Sequence, residues 1–149
     1  MALYATRTNF TAPAASDTII HLKGSATIRP RLAELILGSD AAPVEQSGEY
    51  QIARTSTAGT TPVATLTVVK VDSFSPAAGT TAEGNGYTTE PTPGDLLMDI
   101  PLHQKATFRF VAYPGRELCQ TPAANAGICL INIGQSAVFS LNASVIWVE

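Results

Sequence analysis

Gln135-Ser-Ala-Val-Phe-Ser-Leu-Asn-Ala-Ser-Val-Ile-Trp-Val-Glu149 decides the fold class. Phe139, Leu141, Ala143, Val145 and Trp147 occupy every second position, and Ser140, Asn142 and Ser144 lie between them. Successive side chains of a strand point to opposite faces, so the segment predicts a strand with one buried face and one wet face. The wet face turns apolar near its end, at Ile146 and Val148. A strand apolar on both faces needs cover on both, so these two residues are expected at a subunit contact.

The same alternation recurs upstream. Strands are expected over 17–23, 29–37, 49–57, 62–72, 95–102, 104–113, 117–119 and 127–133, with Gly and Pro between them. Leu32, Leu35 and Ile36 also fit a helical stripe, but the flanking Gly24 and Gly38 and the short length favour a strand. Leu96, Met98 and Ile100 are expected on one face, and Phe108, Phe110 and Ala112 opposite Arg109. Tyr113-Pro-Gly-Arg116 has Pro and Gly where a type II turn wants them. About eight short strands with irregular spacing point to an all-β, jelly-roll or Greek-key-like β-sandwich.

Two segments stand outside this pattern. Residues 1–16 are read as an extended N-terminal arm, with Leu3, Tyr4, Arg7 and Phe10 as candidate contacts, ahead of a single domain at 17–149. Residues 73–94 carry three prolines and four glycines around Tyr87 and are read as a long loop, with Tyr87 a further candidate contact.

The chain has 149 residues, 45% hydrophobic and 14% charged, with a net charge of −3. That length and apolar share suit one domain with a real core. The charged share lies well below the usual ~25%, as at surfaces that a partner covers. The acidic balance and the lack of basic runs argue against nonspecific nucleic-acid binding. Arg29 and Arg31 are read as solvated charges at a strand start. No apolar stretch approaches the ~20 residues of a membrane helix, and the N-terminus lacks the apolar core of a signal peptide. A protein kept in the cytoplasm, or built into a particle there, is expected.

The chain carries little chemistry. His21 and His103 are far apart and lack metal-pair spacing, so both are read as surface or strand-end residues. Asp95 and Asp99 sit four apart and are read as solubilising charges at a strand edge, with a paired-carboxylate hydrolase the weaker reading. Cys119 and Cys129 are too few for a zinc site without help; free thiols or a clamp across their loop both remain open. No catalytic residue, metal or cofactor is expected.

The whole chain resembles a group of small structural proteins of tailed bacteriophages. The resembling stretches are Met1-Ala-Leu-Tyr-Ala-Thr-Arg7, Arg31-Leu-Ala-Glu-Leu-Ile-Leu-Gly-Ser-Asp-Ala-Ala-Pro-Val-Glu45, Tyr50-Gln-Ile-Ala-Arg-Thr-Ser-Thr-Ala-Gly-Thr60 and Gln104-Lys-Ala-Thr-Phe-Arg-Phe-Val-Ala-Tyr-Pro-Gly-Arg-Glu-Leu118, together with the final strand. These motifs mark strands and turns rather than contacts, and the Cys119–Cys129 loop departs from the pattern. The resemblance implies a jelly-roll-like sandwich that decorates or cements a phage capsid, a homotrimer whose partner is the major capsid protein. In that role the arm and the long loop would order on binding. The rival expectation is a carbohydrate-binding module of a tail or baseplate, using Tyr87 or Tyr113.

Overall fold

The computed structural model describes residues 1–39, 45–60, 64–120, 123, 126–134 and 140–149. Among them lie eleven strands and no helix. The strands are β1 (Leu3–Thr11), β2 (Thr18–Lys23), β3 (Arg31–Ser39), β4 (Ser47–Thr55), β5 (Val69–Lys70), β6 (Thr81–Glu83), β7 (Pro93–His103), β8 (Phe108–Val111), β9 (Leu118–Cys119), β10 (Gly127–Asn132) and β11 (Ser140–Val148).

They form two antiparallel sheets. One runs β5-β1-β11-β3-β8, with β9 also on β3; the other runs β6-β2-β10-β4-β7. Without the short β5, β6 and β9, the four strands β1-β11-β3-β8 face β2-β10-β4-β7. The chain changes sheet at every step except β4 to β7. This is the strand order of a jelly roll, two interleaved Greek keys. The expected all-β sandwich is therefore present.

The core lies between the sheets. Leu141, Ala143, Val145 and Trp147 of β11 are buried, as alternation requires, against Ile20 and Leu22 of β2, Ile52 of β4 and Ile128 and Leu130 of β10. Trp147 stacks on Tyr4 with ring centroids 5.8 Å apart. Both polar tips are satisfied: Trp147 Nε1 donates to Glu149 (3.1 Å), and Tyr4 Oη donates to the Pro76 carbonyl (3.1 Å). An aromatic pair can be buried this deeply only if its N–H and O–H find partners. At one edge Arg54 joins the sheets, donating to the Cys119 carbonyl on β9 (2.7 Å) and to Asp95 on β7 (3.0 Å).

Several expectations need correction. The 1–16 segment is extended but is no free arm, because residues 3–11 are the strand β1. It pairs along its whole length with β11, from Leu3 opposite Val148 to Thr11 opposite Ser140, and with β5 on its other side. Unpaired strand donors and acceptors are costly; β11 satisfies one edge of β1 along its whole length and β5 the start of the other. Among its described residues, the most β-prone run, 62–72, contributes β5 and a bridge from Thr65 to Glu83. The 73–94 loop contains β6 and the first residues of β7.

On β7 the expected face is broken by bulges opposite β4, which pair Ile52 with Met98 and Ala53 with Leu96. One extra residue reverses the facing of the strand beyond it, so Leu97 packs on the core and Leu96 is turned outward. Phe108 and Phe110 do pack on the core, with Arg109 on the other face. The Tyr113–Arg116 turn also forms as expected. Arg116 N–H donates to the Tyr113 carbonyl (2.9 Å), and Gly115 sits at φ 83°, where a side chain would be strained. Phe139 falls outside the described residues.

Two substitutions test the core. Trp147→Ala is expected to cost about 3–5 kcal/mol by urea unfolding, through lost burial and a cavity between the sheets. Gly127→Ala is expected to destabilise as well, because a Cβ there would collide with His21 Nε2 and with the Leu22 carbonyl oxygen. An unchanged urea midpoint in the alanine variant at 127 would show that β2 and β10 can separate without penalty.

Candidate functional site

The outer face of the six-stranded sheet is the first candidate. Register decides which side chains share it. Val71 N–H donates to the Leu3 carbonyl, Leu3 lies opposite Val148, and Val148 lies opposite Arg31. In the next row Val69 pairs with Ala5, Ala5 with Ile146, Ile146 with Glu34 and Glu34 with Val111. In the third, Arg7 pairs with Ser144, Ser144 with Ile36 and Ile36 with Arg109. Residues directly opposite each other in a ladder project to the same face. Four strands and an edge thus build one apolar field, bordered by arginines.

Much of that field is exposed. Val69, Val71 and Val111 are 57, 54 and 54% exposed, and Leu3 and Ile36 are 40 and 38%. Scattered surface valines are ordinary; a contiguous set across a sheet marks a contact surface. A groove of about 800 Å³ runs over it, lined by Ala5, Arg7, Val69 and Ile146 among others. Arg109 Nε donates to Glu34 (2.7 Å), so one charge on this face is already neutralised.

The outer face of the five-stranded sheet is built in the opposite way. Here β10 is buried at all six positions, so both of its faces are covered. Ala53, Cys129 and Ile131 form a small second core on this side. The segment after β6 helps to close it: Thr88 N–H donates to the Thr60 carbonyl, and Thr18 N–H donates to Glu90 (3.0 Å). Under this cover lies a polar cluster. Glu83 accepts from Tyr87 Oη (3.0 Å) and from the Lys23 ammonium; His21 Nε2 lies 3.0 Å from Thr55 Oγ1, and its Nδ1 lies 3.4 Å from Tyr87 Oη and 3.7 Å from Glu83. Placing the imidazole proton on Nδ1 satisfies every member, since Thr55 then donates to Nε2.

Burial alone would raise the Glu83 carboxyl. The hydrogen bonds from His21, Lys23 and Tyr87 and the Lys23 charge outweigh it and hold the group at about 2 instead of 4.5. The Tyr87 hydroxyl is pushed up by burial and by the Glu83 charge beside it. Burial likewise raises the Cys129 thiol to about 12, which leaves it protonated at neutral pH.

The residues singled out in the sequence divide accordingly. Leu3, Arg7, Ile146 and Val148 come together on the outer face of the six-stranded sheet. Val148, however, is only 5% exposed between Leu3 and Arg31, so its own chain already covers it. Tyr4 and Phe10 do not belong to a contact surface. They lie on the inward side of β1, Tyr4 fully buried and Phe10 packed on the core. Tyr87 is no free loop residue, because its hydroxyl is held by Glu83. His21 is fully buried in mid-strand, which overturns its reading as a surface or strand-end residue: the cover from the 84–92 segment turns an outward position into an interior one.

His103 ends β7, half-exposed beside Glu45 (3.5 Å). Asp95 and Asp99 lie on β7, an edge strand, and pair with Arg54 and Gln51. Cys119 and Cys129 are free thiols in opposite sheets. Sequence reasoning does not single out Val69, Val71, Ile36 or Val111. Val69 and Val71 alternate with Lys70, Ile36 sits in the apolar run Leu35-Ile36-Leu37, and Val111 directly follows Phe110; none of these local patterns says which strands they join.

No group of three or more His, Cys, Asp or Glu side chains suited to a metal ion occurs among the described residues. No helix among them is long and apolar enough to cross a membrane. No family model, curated protein or solved structure matches the chain.

The buried cluster generates a pH prediction. A carboxyl held below its unfolded value contributes stability above about pH 4.5 and loses it as pH falls towards about 2. Glu83→Gln is therefore expected to unfold at lower urea than the parent at pH 7, by roughly 2 kcal/mol, with the gap shrinking steadily between those limits. A gap that stays constant down to pH 2 would sink this account of Glu83. Tyr87→Phe should cost about 1–2 kcal/mol and speed amide exchange at residues 84–90.

Proposed function

We propose that this protein is a noncatalytic structural component of a virion, which decorates or cements a tailed-bacteriophage capsid by docking through the outer face of its six-stranded sheet. The observation that carries the reading is the exposed apolar field across β5, β1, β11, β3 and β8. Water-exposed valines at this density raise the free energy of the isolated chain, and covering them removes that cost at roughly 25 cal/mol per Å². A sheet face also presents a rigid surface, so little ordering entropy opposes docking.

The jelly-roll order supports the reading in a general way, since a closed sandwich offers broad, flat faces for assembly. The sequence resemblance supplies its more specific parts: the major capsid protein as partner, a homotrimer as the assembled form and the capsid surface as location. The structure does alter the mechanism first expected. Residues 3–11 form strand β1, and 81–90 are held by β6, Tyr87 and Glu90, so in this reading a preformed face carries the contact in place of segments that order on binding.

The decisive experiment uses capsids of the parent phage that lack this protein. Added chain is expected to rebind them, counted by cryo-electron microscopy. Val69→Asp combined with Val111→Asp should reduce occupancy at least tenfold while leaving the urea midpoint within about 0.5 kcal/mol, as for exposed sites. Undiminished occupancy in the double variant removes this face from the contact. Absence of rebinding by the parent chain removes the capsid reading itself.

A further inference from the structure

We infer that the surface which docks on the six-stranded sheet is acidic around an apolar centre, and that it belongs to a different protein rather than to a second copy of this chain. The inference rests on the docking reading above and adds the chemistry of the partner.

Charge is unevenly placed on the molecule. The chain carries twelve acidic and nine basic residues. On the outer face of the six-stranded sheet the balance is reversed. Arg7, Arg31 and Arg109 stand there against Glu34 and against Glu117, which precedes β9 beside Arg31; the Glu34 carboxylate is taken by Arg109, and that of Glu117 accepts from the Gly115 N–H. Neither Arg7 nor Arg31 forms an ion pair among the described residues. Arg31 touches the acidic side only through its field on Glu117. Several acids lie elsewhere: Glu83 under the 84–92 segment, Asp95 and Asp99 on β7, and Glu45 beside Lys105.

The two unpaired arginines flank the apolar field. Arg7 lines the groove over Val69 and Ile146. Arg31 stands at the opposite corner and, with Arg29, lines a second cleft of about 820 Å³, whose one acid, Glu149, is taken up by the Gly79 and Thr80 N–H groups and by Trp147. Register places Arg7 and Arg31 two strands and four residues apart, about 17 Å from strand spacings of about 4.8 Å and a rise of about 3.4 Å.

A partner that covers the valines also removes water from around these guanidinium groups. Desolvating an unpaired charge is costly, so carboxylates on the partner must meet them. A second copy presenting the same face would bring the same excess of arginine, and like charges would meet in the contact. Any trimer of this chain is then built through another surface.

The test uses two synthetic probes, the peptides Glu-Glu-Val-Ile-Val-Leu-Glu-Glu and Lys-Lys-Val-Ile-Val-Leu-Lys-Lys, blocked at both ends. In an extended peptide the inner glutamates stand five residues apart, about 17 Å at the same rise. Fluorescence anisotropy with the full chain at low ionic strength should show the acidic peptide binding at least tenfold tighter, a preference lost or reversed in Arg7→Glu/Arg31→Glu. Near-ultraviolet circular dichroism confirms that this variant is folded, and sedimentation of the parent and variant should show the same oligomeric state. Equal binding of the two peptides, binding of neither, a preference that survives charge reversal, or dissociation of an oligomer by the reversal each overturns the inference. Capsid rebinding is scored separately: capsids that bind while the peptides show no preference sink the partner chemistry alone, and a peptide preference without capsid rebinding sinks the capsid reading alone.

Discussion

The structure depends on the pairing of β1 with β11. These strands lie at opposite ends of the sequence, yet they pair along nine residues, Leu3 to Thr11 against Ser140 to Val148. That ladder puts Tyr4 on Trp147 inside the sandwich and Leu3 and Ala5 beside Val148 and Ile146 outside it. It also makes β11 a central strand, with β3 on its other side. Closing so long a loop costs chain entropy, and only the burial of a whole inner face offsets it. The contact surface is a consequence of the same ladder, since no segment alone contains it.

The two sheets then meet water differently. The outer face of the five-stranded sheet is sealed by its own chain, and the seal is polar. Glu83, Lys23, Tyr87, His21 and Thr55 satisfy one another beneath the 84–92 segment. Each member of such a network matters, because an unpaired charge in a dry site is costlier than a lost surface contact. It fixes the segment in one arrangement and makes Glu83 one of the groups through which acid weakens the fold. On the six-stranded sheet Val69 and Val111 stay more than half exposed. Its exposed apolar area and unpaired arginines are what an external partner would satisfy.

Much of the fold is legible in the sequence. Alternation over Leu141, Ala143, Val145 and Trp147 names the inner face of β11, and the strands β2, β3, β4, β7 and β10 fall close to where Gly and Pro punctuation puts them. The Tyr113–Arg116 turn follows from Pro and Gly at their required positions. The candidate site is legible only in part. Ile146 stands out because it breaks the polar side of its strand. Val69 does not, because a short apolar–charged alternation reads the same on an edge, in a loop or beside a partner; Val111 does not, because an apolar residue after Phe110 at the end of a short run also reads as a strand end. His21 reads as a surface residue because a lone histidine carries no sign of what will fold over it.

The sequence by itself determined local matters: extended backbone, which side chains share a face, where the chain turns, and that charge is scarce. These depend on neighbours a few residues away and on backbone sterics. The tertiary structure decided what lies beside what. Pairing β1 with β11 turned an apparent arm into a core strand, the bulges of β7 reversed Leu96 and Leu97, and the 84–92 segment buried His21 while Val69, Ile146 and Val111 stayed on an open face. Register and cover are set by contacts between residues far apart in the chain, and such contacts leave no periodic trace in any one segment.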